Sequence, residues 1–256
     1  MSTKKESKLN ALLSAQPMGT VLSSAWLAKQ GYSLDLQKRY RKSQWFDSIG
    51  TGAMIRHGDQ VDYLGGTYTL QSQLGLSVHP AGKTALSLQG KAHYLELSTK
   101  SAQLFGGKDD RLPLWFKKKD WGLSVNCRFT SFLPPESGLL EMEYKNFKLK
   151  VSDPARAVME CLYLAPKLQP LLEVFELMEG LNNLRPNTVQ KLLEDCTSVK
   201  VKRLFLYLAD KAGHEWLNFI NLNKVNLGSG KRSIVSEGVY VSRYQITVPK
   251  ELESAT

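Results

Sequence analysis

The sequence has little with which to build a metal or redox centre. Its three cysteines, Cys127, Cys161 and Cys196, are widely spaced in 256 residues and include no C-x-x-C pair, which argues against a thiolate zinc site or a vicinal redox dithiol. Their odd number suits a reducing compartment. The four histidines, His57, His79, His93 and His214, lie far apart and show no H-x-x-x-H spacing, so no metal ligand set is expected. Long apolar runs are also missing. The best, Leu204-Phe-Leu-Tyr-Leu-Ala209, falls far short of the ~20 residues of a membrane span. After Met1 to Lys8, the stretch Leu9-Asn-Ala-Leu-Leu13 is too short for the apolar region of a secretory signal. A cytoplasmic protein with no membrane partner is the expectation.

The nucleotide-binding motifs fail on inspection. Gly228-Ser-Gly-Lys-Arg232 resembles a phosphate loop, but Val225 stands where the first glycine belongs and Arg232 where Ser or Thr belongs. Gly50-Thr-Gly52 begins a dinucleotide pattern that Ile55 breaks at the third glycine. There is no G-x-S-x-G, and no cysteine sits in a nucleophile motif. Glu141 and Glu143 share one face of a predicted strand and could do acid–base work. The solvated face of an amphipathic strand is the preferred reading. No catalytic residue, metal or cofactor is expected, and the chain is not read as an enzyme.

Negative charge is the scarcer sign. Lys and Arg number 34 against 24 Asp and Glu, a formal charge of +10, in a chain that is 42% hydrophobic. That composition suits a globular protein with a polyanionic partner. The excess is concentrated early: residues 1–95 carry 11 Lys and Arg against 5 Asp and Glu, the remainder 23 against 19. The polar and glycine-rich text from Ser98 to Asp110 marks a boundary, predicting domains 1–97 and 98–256.

The first domain reads as short helices followed by a hairpin. Lys4 to Leu13 has leucines at helical spacing and is closed by Gln16-Pro17. Ser23 or Ser24 can cap a helix from Ala25 to Gln30 that stops at Gly31, and Ser33 can cap another from Leu34 to about Gln44. Two helices joined by a tight glycine turn are a helix-turn-helix signature. Projected at ~100° per residue, the second places Leu36, Tyr40 and Ser43 on one face and Lys38, Arg41 and Lys42 opposite, with Gln37 and Arg39 at the margins. Trp45 to Val61 then alternates briefly and breaks at Gly58-Asp59, where a winged helix keeps its wing.

The second domain reads as mixed α/β, so the fold class is α+β. Strand-like text runs from Leu123 to Phe132, from Leu139 to Val151 and from Val239 to Val248. Ser152-Asp-Pro154 opens a helix through Tyr163, and further helices fit Leu171–Leu181, Asn187–Cys196 and Val199–Ala212. Gly82 to Gly90 suits a short, closely packed helix, with a DNA contact from Lys83 the less favoured reading. Lys200-Val-Lys-Arg203 and Lys231-Arg232 form either a second basic patch or separate solvated charges.

The positive signal is Gln37-Lys-Arg-Tyr-Arg-Lys42 on the second helix of the helix-turn-helix. Cations neutralise phosphates, and Arg, Lys and Gln also hydrogen-bond base edges in the major groove. Ser33, Gln37, Lys38, Arg41 and Lys42 are expected to enter that groove, Arg39 to grip the flanking phosphate, and Arg56 and His57 to touch the backbone or minor groove from the wing.

The order of these pieces is similar to that of the AbiEi family of antitoxins. It comprises the helix-turn-helix, the Trp45 to Val61 wing, His79-Pro-Ala-Gly-Lys-Thr-Ala-Leu-Ser-Leu-Gln-Gly90, Val151-Ser-Asp-Pro-Ala-Arg-Ala157 and Val201-Lys-Arg-Leu-Phe-Leu-Tyr207. The likeness spans about residues 8 to 249. It implies a type IV toxin–antitoxin component linked to abortive phage infection, whose N-terminal winged helix represses its own operon. The implied partners are double-stranded operator DNA, with inverted repeats, and a nucleotidyltransferase-like toxin, AbiEii, opposed without a stable complex. Antitoxicity would reside in the C-terminal domain, to which no residue-level site transfers. Two alternatives stand beside this: a winged-helix transcriptional regulator with a ligand- or partner-binding C-terminal domain, and a nucleic-acid-processing enzyme using Glu141 and Glu143.

Overall fold

The computed structural model of the chain describes residues 8–91 and 101–254. Residues 8–56 build α1 (Lys8–Ala15), β1 (Leu22–Ser23), α2 (Ser24–Lys29), α3 (Leu34–Lys42), β2 (Phe46–Gly50) and β3 (Ala53–Arg56). The strands form an antiparallel sheet in the order β1-β3-β2, with Leu22 opposite Met54 and Phe46 opposite Arg56. Leu12, Leu22, Leu27, Phe46 and Met54 are buried together at its centre. Gly31, at φ +84°, ends α2 in a left-handed conformation that an L side chain rarely adopts. The result is a winged helix-turn-helix unit.

α4 (Tyr63–Ser72) follows, although its sequence, Tyr-Leu-Gly-Gly-Thr-Tyr-Thr-Leu-Gln-Ser, has poor helix propensity. Packing holds it instead. Asp62 caps it by accepting the Gly65 N–H at 3.0 Å. A Cβ on Gly65 would lie 1.8 Å from the Gly19 carbonyl oxygen, so this approach requires glycine. β4 (His79–Pro80) and α5 (Gly82–Leu88) complete the part before residue 91.

β5 (Ser101–Gly107) lies within the stretch from Ser98 to Asp110 where a boundary is expected. It is the central strand of a sheet, antiparallel to β4 and parallel to β6 (Ser124–Thr130), with α6 (Leu114–Lys118) between them in the chain. Leu104 and Phe105 are fully enclosed because both edges and both faces of β5 are covered. A buried central strand loses the alternation that marks an amphipathic one. The 97/98 junction itself lies outside the described residues.

The remainder is a helical body with peripheral strands. β7 (Leu139–Tyr144) and β8 (Phe147–Ser152) form a hairpin that lies against α4, and Asp62 accepts from the Tyr144 hydroxyl at 2.7 Å and the Lys145 ammonium at 2.6 Å. α7 (Pro154–Leu164), α8 (Leu171–Glu179), α9 (Pro186–Asp195) and α10 (Val199–Lys211) pack around a core that includes Val158, Leu177, Leu193 and Phe205. Of the two possible caps ahead of Pro154, Ser152 and Asp153, it is Asp153 that caps α7, accepting the Arg156 N–H at 2.8 Å. β9 (Arg232–Ser233), β10 (Val239–Val241), β11 (Ile246–Val248) and α11 (Lys250–Ser254) close the chain. The predicted strand from Val239 to Val248 is two strands, because the chain turns back with Gln245 at φ +52° and pairs Val239 with Val248.

A buried charge network joins the two parts. Glu160 on α7 has no solvent exposure and accepts from His79 Nε2 at 3.1 Å, Arg156 Nε at 2.8 Å, Ser152 Oγ at 2.7 Å and the Gly82 N–H at 3.0 Å. Burial pushes its carboxyl up, but His79 and Arg156 overcome that and hold it below the ordinary carboxylate value. β4 and α5 thus belong to the same packed body as α7.

Candidate nucleic-acid interface

Ser33 starts α3, its hydroxyl oxygen accepting the Leu36 N–H at 3.3 Å. Asp35 in the first turn and Arg39, Arg41 and Lys42 in the last match the helix dipole. The helix is rotated from the projected orientation. Gln37 is buried, and its Nε2 donates to the Ser24 carbonyl at 3.1 Å and the Tyr32 carbonyl at 2.8 Å. It ties α3 to α2 and to the intervening turn, so its amide nitrogen is engaged inside the unit and not on the outward face expected of it. Tyr40 packs beside Phe46 at 6.0 Å between ring centroids.

Gln37, Tyr40 and Arg41, at i, i+3 and i+4, therefore turn toward the interior, with Arg41 half-buried at the flank. Lys38, Arg39 and Lys42 face solvent beside an exposed Leu34. Among the described residues none of these four cations has a carboxylate partner.

The wing differs more. The hairpin turns at Gly50-Thr51-Gly52, with positive φ at both glycines, and not at Gly58-Asp59. Asp59 is engaged elsewhere, accepting the Gly19 N–H at 2.7 Å. Arg56 and His57 lie at the opposite end of the hairpin. Arg56 Nη2 donates to the carbonyls of Leu13 and Gln16, closing the C-terminus of α1, so the expected wing contact becomes a structural cap. His57 stays on the surface, with Nδ1 3.0 Å from the Asp47 carboxylate, which opposes any cationic role.

Two cations missed in the sequence lie beside the true tip. α6 packs against β2, where a Cβ on Gly50 would meet the Trp115 Cβ at 3.3 Å. Trp115 and Phe116 are buried, leaving Lys117 and Lys118 exposed. The run Trp115-Phe-Lys-Lys-Lys119 was visible, but its neighbour is distant in the chain.

The other sequence candidates also find places. Lys83 pairs with Glu173 at 2.6 Å rather than standing free, and a Cβ on Gly82 would meet Cys161 Sγ at 3.4 Å, as close packing of α5 implies. Glu141 and Glu143 lie opposite Lys150 and Lys148 across β7–β8, with Lys148 Nζ 3.3 Å from Glu143 in solvent. Lys202 and Arg203 point inward, Arg203 donating to the carbonyls of Leu227, Gly228, Gly230 and Gln245. Lys200, Lys231 and Arg232 line one groove of about 780 Å³. Among the described residues no helix is long and apolar enough to cross a membrane.

Two family models match the chain. One, described as the N-terminal domain of AbiEi antitoxin transcriptional regulators, matches residues 5–97, and the other, described as a transcriptional regulator and AbiEi antitoxin of a type IV toxin–antitoxin system, matches residues 99–249. No curated protein sequence matches it. Among solved structures, the RV2827C protein from Mycobacterium tuberculosis has a similar fold, with a TM-score of 0.57 at 14% identity over 93% of this chain and 88% of that one.

Proposed function

The chain belongs to the AbiEi antitoxin family of transcriptional regulators in type IV toxin–antitoxin systems, and from that premise we propose that it represses its own operon by binding inverted repeats with α3. The observation that supports this most is the outward face of α3, where Lys38, Arg39 and Lys42 are exposed and without carboxylate partners among the described residues, while Gln37 anchors the opposite face. Such a face contacts phosphates and base edges together. Lys117 and Lys118 extend the cationic surface beside the hairpin tip and act as phosphate contacts. Ser33 remains exposed at the leading end of α3, and Arg41 serves its flank.

The test is fluorescence anisotropy with the chain's own upstream duplex and a shuffled duplex across a salt series. Preference for the native duplex, with a log–log slope near −0.9 per phosphate contacted, is expected. Equal, weak binding to both would remove the repressor reading.

The proposal extends to a nucleotidyltransferase-like toxin opposed without a stable complex. β5 pairs with β4, and α5 packs in the core containing α7, so a fragment beginning at residue 98 would lack part of its own core. Full-length chain carrying Lys38→Glu, Arg39→Glu and Lys42→Glu is the better probe in toxin co-expression. Rescue without operator binding would separate the two activities, and failure of even the wild-type chain to rescue would end the antitoxin half of the proposal.

A further inference from the structure

The sequence left open whether Lys200 and Lys231-Arg232 meet. They do, and Arg128 on β6 and Lys167 join them. The groove holding these five cations has no carboxylate in its lining, and among the described residues none of the five has an ion pair. Lys200 shows the consequence: partial burial and the nearby Lys167 ammonium both pull its pKa below the ordinary lysine value. Lys200 Nζ donates to the Tyr163 and Ala165 carbonyls at 2.9 and 2.6 Å and Lys231 lies over the Tyr240 ring, but no carboxylate offsets the charge of this wall.

A second groove, of about 570 Å³, shares Arg128, Leu164 and Leu168 with the first and continues it. Its lining is different in kind. Gln103, Asn126 and Gln169 supply amides, and its carboxylate, Glu173, is held by Lys83. Gln169 is 4% exposed, and its Nε2 has no nitrogen or oxygen partner. Its hydrogen-bonding neighbour is the Cys161 thiol, a weak acceptor that leaves the amide nitrogen incompletely satisfied. Leu168, at the shared rim, is 65% exposed and offers an apolar platform.

We propose that this continuous trough binds single-stranded nucleic acid, with phosphates along the five cations and base edges against the amides of Gln103, Asn126 and Gln169. Cationic walls that track a backbone, beside groups that accept unstacked bases, are how proteins hold single strands. A duplex presents its base edges only within its grooves, whereas an unstacked strand lying in a concave trough offers them to the wall. The trough lies in the helical body and is lined by none of the α3 residues, so the inference does not rest on operator recognition.

The experiment uses the full chain and labelled 12-nucleotide RNA and DNA single strands, measured by anisotropy beside the upstream duplex. Both strands are expected to bind with strong salt dependence. Lys167→Glu with Arg232→Glu should weaken strand binding at least tenfold and leave the duplex preference intact. The same reversal at Lys108 and Lys224, exposed and outside the trough, should have little effect. Absence of strand binding would overturn the proposal. Equal loss in both double variants would reduce it to generic charge attraction and overturn it too. A nucleoside triphosphate that binds as tightly as the strand would replace it with a mononucleotide site. A tenfold difference between RNA and DNA would name the preferred strand without altering the assignment of the trough.

Discussion

The winged unit and the helical body are stabilised on different scales. Among the described residues, five buried hydrophobic side chains centre the winged unit, while the cluster around α7 and α10 has thirty-eight. The unit that carries the outward cations of α3 is thinly cored and depends on individual hydrogen bonds: Gln37 to two carbonyls, Arg56 to the end of α1, and Gln73 Oε1 to the Ser23 N–H at 2.9 Å. The body relies on apolar burial, with charge admitted where it is partnered, Arg203 by four carbonyls and, most completely enclosed, Glu160. A small unit with few apolar contacts is expected to open locally before the global fold does.

The largest effect should follow removal of that partnered charge. Glu160→Ala leaves His79 and Arg156 buried without their acceptor, and about 3–5 kcal/mol of stability should be lost by urea denaturation. The pH dependence has a definite sign. Because the folded carboxyl titrates below its ordinary value, Glu160 contributes stability above the unfolded carboxylate range, and that contribution is lost as pH falls through and below about 4.5. Between pH 7 and 4 the wild-type midpoint should therefore drop more steeply than that of Glu160→Gln. Parallel curves would show that the network holds no net charge-dependent stability.

Leu27→Ala tests whether the two regions are separate units. The side chain is 1% exposed in the small core, and its truncation should cost about 2–4 kcal/mol. Hydrogen exchange should accelerate in α2 and α3 while α7 and α10 stay protected. Uniform acceleration would instead make the molecule a single cooperative unit and break the comparison.

Within α3 the contrast narrows to adjacent residues. Gln37→Ala leaves two carbonyls without their donor and should destabilise by about 1–3 kcal/mol, reducing DNA binding only through folding. Lys38→Ala should leave stability within about 0.5 kcal/mol and lower the salt slope by about one. A Gln37 variant that keeps full stability but loses sequence preference would restore its base-reading role.

These distinctions explain what the sequence disclosed. Local chemistry was legible: Ser33 caps the helix it was expected to cap, Asp153 is one of the two caps open to α7, and Gly31 ends α2. Features that depend on distant neighbours were not. α4 is helical despite Gly65-Gly66 because Gly19 and Trp121 pack against them; β5 is a short apolar piece between polar and turn-rich text, and its place as a central strand comes from β4 and β6. Gln37 deceived the projection for a related reason. Hydrophobic periodicity identifies an inward face by its apolar residues, and here the most buried position of α3 is polar, selected by two carbonyls that only folding brings together.

The smallest effects discriminate between the two ends of the hairpin. Arg56 and His57 share its base, yet their surroundings separate them. Arg56→Ala should destabilise α1, whereas His57→Ala removes only an exposed pair with Asp47, of the kind that contributes about 0–1 kcal/mol. At the tip, Thr51 and the flanking glycines carry no charge, and the cations come from α6. Lys117→Ala with Lys118→Ala should lower the operator salt slope by about two, and His57→Ala should leave both slope and stability unchanged. A reversed result, with His57 changing the slope and the two lysines not, would mean that the base of the hairpin faces DNA and that the winged unit docks in an orientation opposite to the one its unpaired charges favour.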